Sequence, residues 1–168
     1  MAKKRKSKQN KMIGQSLSVG TILFAIATIC MVFVTSVKYT EPTLYLGEYT
    51  GVQTIFGYTA QTGGDFIDIS KKVLDFSFMN LLPYLLTIGG ALVALMNLFG
   101  KNKWLWNVVS CVLFIVAAVF FFTANQYVCI NENVATMSKE YFEIGVGSIL
   151  AGSFFSGFRR LLGIESTV

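Results

Sequence analysis

Histidine is absent from the 168 residues. That removes the commonest metal ligand and the commonest general base. Zinc hydrolysis and Ser-His-Asp chemistry therefore lack their usual constellations. Cysteine is scarce. Cys30, Cys111 and Cys129 are an odd set with no CxxC spacing, so they read as three unpaired small hydrophobes rather than a redox or metal pair. Charge is scarce too. Charged residues are 14% of the chain, against about 25% in a soluble domain. Hydrophobic residues reach 54%, and the mean hydropathy is +0.59. This leaves too little polar surface to cover a globule in water, and too much apolar sequence for disorder. No catalytic residue, metal or cofactor is expected, and the chain reads as a non-enzyme.

What the sequence does contain is long uncharged apolar runs. They cover Leu17–Val37, Met79–Phe99, Trp104–Ala124 and Tyr141–Phe158, the last with only Glu143 near its start. A helix needs about 20 predominantly apolar residues to cross the hydrocarbon core. Lipid offers no hydrogen-bond partners, so each crossing segment must satisfy its backbone internally. The sequence thus predicts an all-α integral membrane protein, an antiparallel bundle of four transmembrane helices over 17–158. A basic arm (1–16) precedes it and a short tail (159–168) follows. The first run is longer than the 7–15 apolar residues of a secretory signal, and an uncleaved helix is expected there.

Ten of the fourteen basic residues, with one acid, fall in the arm, the short second loop and the tail. The two outer loops hold the other four basic residues and eight acids. Positive charge is retained in the cytoplasm, so the plasma membrane with both termini cytoplasmic is the expected location. The outer loop 38–78 is the one sizeable water-facing segment. Its first part, 43–59, is rich in Tyr, Thr, Ile and Val between glycines and predicts a short β-hairpin. Its second part, 65–78, mixes Phe, Ile, Val and Leu with Asp and Lys and predicts an amphipathic helix in the interface. Together they would form a small outer cap. Asn131 and Asn133 in the second outer loop lack the Asn-x-Ser/Thr context for glycosylation.

No ionisable residue lies near the middle of any apolar run, and intramembrane charges are what mark proton and ion paths. Small residues are more informative. Gly145, Ser148, Gly152 and Ser156 fall at helical spacing, with Gly89, Gly90 and Ala94 as a second set. Small residues on one face let helices approach closely, which makes these a helix-packing or oligomer face. Tyr39, Tyr45, Tyr49 and Tyr58 concentrate in one loop and form a candidate partner patch. Lys3, Lys4, Arg5, Lys6, Lys8 and Lys11 suit contact with an anionic leaflet, at about 1 kcal/mol each. A lipid bilayer is the expected partner, with a second copy or another membrane protein beside it. Nucleic acid is not, since no soluble module accompanies the arm.

Four spans with a larger first outer loop resemble the claudin-like tetraspan arrangement. That family's first-loop Gly-Leu-Trp and paired cysteines are absent here, as no Cys occurs between 38 and 78, and membership is not drawn. The sequence points to an assembly, accessory or structural subunit acting through helix packing and its outer loop. The alternative is a small oligomeric channel, holin-like pore or transporter subunit.

Overall fold

The computed structural model describes residues 18–41, 45–64, 67–99, 103–132, 134 and 137–161. The first described element is helix α1 (Ser18–Phe33), whose last turn, Met31–Phe33, tightens to 3-10 geometry. Val34 is extended, and strand β1 (Thr35–Glu41) follows at once. Strand β2 (Tyr45–Thr50), the short helix α2 (Gly51–Phe56), strand β3 (Tyr58–Gly64) and strand β4 (Ile67–Leu74) complete the first half. Helices α3 (Phe78–Phe99) and α4 (Lys103–Phe122) come next, then two 3-10 turns, strand β5 (Phe142–Ile144) and helix α5 (Val146–Leu161).

The fold is mixed helix and sheet, not the all-α four-helix transmembrane bundle that the composition predicts. Among the described residues one helix, Phe78–Met96 within α3, is long and apolar enough to cross a membrane; the apolar helices Ser18–Phe33 and Val108–Phe122 are shorter. The terms transmembrane four-helix bundle and multi-span membrane protein are therefore not supported. The physical reason is strand pairing. Thr35, Ser36 and Val37, at the end of the first apolar run, pair into β1. Phe142–Ile144, at the start of the fourth, pair with β1 from the other side. Each run loses a turn or more of helix to the sheet.

The outer loop departs from expectation as well. The first hairpin is β1 with β2, antiparallel from Thr35↔Thr50 to Glu41↔Tyr45, rather than a unit inside 43–59. The predicted amphipathic helix over 65–78 is a strand where it is described: β4 pairs with β3 from Tyr58↔Leu74 to Gly64↔Ile67. Ile67, Ile69 and Val73 alternate as a strand requires. The two sheets are β2-β1-β5 and β3-β4. An isolated bridge, Leu74↔Ile130, ties the second sheet to the segment after α4.

Two hydrophobic clusters hold these layers. The strand-layer cluster is Val37, Tyr39, Tyr49, Leu74, Val128 and Phe142. The helix-layer cluster is Ala25, Ile55, Tyr84, Phe114, Ala117, Phe121 and Ala151. Ile55 belongs to α2, so the chain dips from the sheet into the top of the helices between β2 and β3. A capping box at Thr50 and Gln53 starts that dip, satisfying two orphan amides reciprocally. Gly57 ends it at φ +92°, where its Cα faces the Leu74 carbonyl; a side chain there would meet both strain and backbone.

Candidate functional site

Along β1, Val37 and Tyr39 point into the core while Lys38 and Thr40 are partly exposed. This alternation puts Lys38 on the open face of the central strand. Register then sets Glu48 of β2 on one side of it and Glu143 of β5 on the other. Lys38 Nζ lies 2.7 Å from Glu48 Oε1, and Thr35 Oγ1 donates to Glu48 Oε2 at 3.0 Å. The Lys38 ammonium, and then the Thr35 hydroxyl, hold the Glu48 carboxyl below its ordinary range. The result is a row across the sheet, Glu48–Lys38–Glu143, with a carboxylate on either side of a single cation. Both glutamates are exposed, and exposed pairs of this kind contribute little stability. A row of fixed charges on an exposed sheet face therefore adds little to holding the fold.

Beneath that face, the Tyr39 hydroxyl donates to Glu41 Oε2 at 2.8 Å and accepts from the Ser138 amide at 3.4 Å. Burial, and then the bond to Glu41, push this phenol above its ordinary value. At the other end of the layer, Lys72 Nζ lies 2.7 Å from Asp75 Oδ1, and Asn131 Nδ2 donates to Asp75 Oδ2 at 2.9 Å. Lys72, and then Asn131, lower the Asp75 carboxyl. Ser77 joins three elements below it. Its amide donates to Ile55 O and its hydroxyl to Tyr127 O at 2.6 Å, and the same oxygen accepts from the Asn80 amide. Among the described residues, no three His, Cys, Asp or Glu side chains converge as metal ligands would.

Two of the four tyrosines anticipated as a partner patch belong to the strand-layer core. Tyr39 and Tyr49 are buried and pack on Phe142, at ring-centroid distances of 5.0 and 6.2 Å. Tyr58 is half-buried, edge-on to Tyr49. Tyr45 is placed in β2, but its side chain lies outside the description. Their concentration in one loop reflects a strand layer that needs large rings for a small core.

The small residues seat neighbours within the same chain. A Cβ on Gly145 would collide with Thr35 O, and one on Gly147 would lie 2.9 Å from the same atom. Ser148 Oγ is 2.7 Å from Ser36 Oγ. The place of a Gly152 Cβ is 2.7 Å from the Phe122 ring, and that of a Gly90 Cβ is 2.8 Å from Phe114. Gly89 is looser, with Leu113 at 3.9 Å, and Ala94 is buried. Ser156 lies in α5, its side chain outside the description. The basic arm residues Lys3, Lys4, Arg5, Lys6, Lys8 and Lys11 lie outside the described residues.

The sequence reading missed the Glu48–Lys38–Glu143 row. Lys38 was visible as a lone cation in a run of Thr, Val and Tyr. Its two carboxylate neighbours come from 10 and 105 positions away in register, and no local signal links them. A scan against protein-family models finds no match, and neither does a search of curated proteins.

Proposed function

We propose that this chain is a membrane-anchored, non-enzymatic assembly or accessory subunit. Its helix layer meets lipid, with α3 as the one described helix long and apolar enough to cross, and its strand layer meets a protein partner in water. The observation behind this reading is the segregation of surface chemistry by layer. Large hydrophobic side chains are exposed along α1, α3, α4 and α5, Leu23, Leu92, Ile115 and Ile149 among them; among the residues whose side chains are described, none of the exposed ones lies in a strand. No charged residue occurs in Ser18–Phe33, Phe78–Phe99 or 105–122, whereas Lys38, Glu41, Glu48, Lys72, Asp75 and Glu143 all belong to the strand side. Apolar patches beyond a few hundred Å² mark partner or membrane contact. Phe78–Met96 is 19 residues long, about 28 Å of helix, close to the hydrocarbon thickness.

Hydroxyls on the helices support anchoring over conduction. Thr28 donates to Phe24 O, Thr87 to Pro83 O and Ser110 to Gly90 O. These groups are turned back onto backbone rather than toward a shared polar path.

The test is purification of the full chain from membranes in mild detergent, with native mass determination. The reading expects the chain to resist alkaline extraction and to run at a mass above its own 18.6 kDa plus detergent. Lys38→Glu should remove that extra mass with only a small fall in melting temperature, since the exposed pair it breaks contributes little although three glutamates then stand side by side. Release into the aqueous fraction, or a lone chain unaffected by Lys38→Glu, overturns it.

A further inference from the structure

The strand-proximal end of each long helix carries an exposed large apolar residue. Phe33 closes α1 at 74% exposure, Phe78 opens α3 at 54%, Phe122 closes α4 at 41% and Val146 opens α5 at 51%. A fifth position comes from α2, whose last residue, Phe56, is 63% exposed. Phe56 is not a loose loop residue. Its neighbour Ile55 is locked in the helix-layer core, Ile55 O accepts from the Ser77 amide, and Gly57 N donates to Gln53 O. Phe76 stands beside it, with ring centroids 6.4 Å apart.

We infer that Phe33, Phe56, Phe78 and Phe122 form a lipid-binding girdle that seats at the boundary between phospholipid headgroups and acyl chains. The inference rests on the reading that the helix layer lies against lipid. One feature favours lipid over a protein as occupant. The rings stand at helix ends where the chemistry changes, with the uncharged stretches Ser18–Phe33, Phe78–Phe99 and 105–122 on one side and the ion-paired strands on the other. Phe side chains at the apolar edge of an amphipathic surface suit the boundary between headgroups and acyl chains. On this account α2 supplies the interfacial contact that the sequence assigns to 65–78, and it fixes the depth at which the charged sheet stands off the membrane.

The experiment places single tryptophans in a background where Trp104 and Trp106 are replaced by Phe. Phe56→Trp, Phe122→Trp and, as a mid-helix reference, Ile88→Trp are reconstituted in phosphatidylcholine vesicles. The lipids carry bromine near either the headgroup end or the methyl end of the acyl chain. Phe56→Trp and Phe122→Trp should be quenched about twofold more by shallow than by deep bromine, and Ile88→Trp the reverse. Quenching at Ile88 with none at Phe56 overturns the girdle and leaves the lipid reading standing. Shallow quenching at one of Phe56 and Phe122 but not the other overturns it in favour of a local protein contact. No quenching at any position overturns both. Phe33→Trp serves in place of either ring variant that fails to fold.

Discussion

Ser36 Oγ and Ser148 Oγ lie 2.7 Å apart in the interior, although 112 residues separate them in the chain. The bond joins the start of the central strand to the last helix, just where Gly145 N donates to Ser36 O at 2.7 Å. Removing one hydroxyl leaves its partner buried and unpaired, which costs about 1–3 kcal/mol, whereas removing both is close to neutral. Ser148→Ala should lower the melting temperature, and the Ser36→Ala/Ser148→Ala double variant should recover much of the loss. A double-mutant cycle with no coupling energy would contradict this.

Gly145 is fixed by the same junction. Any Cβ there meets the backbone of Thr35 and Ser36, and backbone in a paired strand cannot swing aside. Gly145→Ala should destabilise by about 1–3 kcal/mol. Gly89→Ala meets only Leu113 at ordinary van der Waals distance. It should be neutral or stabilising by up to about 1 kcal/mol through helix propensity. Equal melting temperatures for the two variants would refute the packing argument.

Asn80 poses the opposite case. Its carboxamide nitrogen and oxygen are both buried, and neither has a hydrogen-bond partner among the described residues. A buried unpaired polar group is a net cost of about 1–3 kcal/mol. Replacing it with an apolar side chain of similar volume should remove that cost. Asn80→Leu is expected to raise the melting temperature, and Asn80→Ala to gain less because it leaves a cavity. A lower melting temperature for Asn80→Leu would show that the amide is engaged.

Acid and alkali should each weaken the strand layer. Glu48 and Asp75 are held below the ordinary carboxylate range by Lys38 and Lys72. As pH falls the unfolded chain takes up these protons first. Their contribution is therefore complete above the ordinary range and lost as pH drops through and below it. Both carboxyls are solvent-exposed, so the effect is small and shrinks with added salt. Tyr39 works the other way. Its folded value is raised above 10.0, so stability falls as pH climbs past that point. Melting curves of wild type and Lys38→Met between about pH 7 and about pH 3 check the acid limb; identical slopes would remove Glu48 from the account.

Some of this fold was legible in the sequence. The runs 79–99 and 104–124 lie where α3 and α4 form, because uncharged sequence of that length has few other ways to satisfy its backbone. Hydropathy could not reveal that Thr35–Val37 and Phe142–Ile144 pair with strands, since apolar residues fill a sheet core as readily as a helix face. Strand β5 is three residues long, and its partner among the described residues is more than a hundred residues away, so no local pattern encodes it. For 67–74 the period-two alternation was present, but Lys71 and Lys72 interrupt it and mimic an amphipathic helix. The small residues of α5 were legible as a packing face; that Phe122, Thr35 and Ser36 fill it was not.

The central claim is the division of the surface into an apolar helix layer in lipid and a charged strand layer in water. Cysteine accessibility in sealed vesicles tests it most directly. In a background with Cys30, Cys111 and Cys129 replaced by Ala, single cysteines at Leu92, Ile115, Glu48 and Glu143 are treated with a membrane-impermeant maleimide. The account predicts rapid labelling at positions 48 and 143 from one side of the vesicle, with positions 92 and 115 protected until detergent is added. Equal labelling at all four positions before detergent would contradict it.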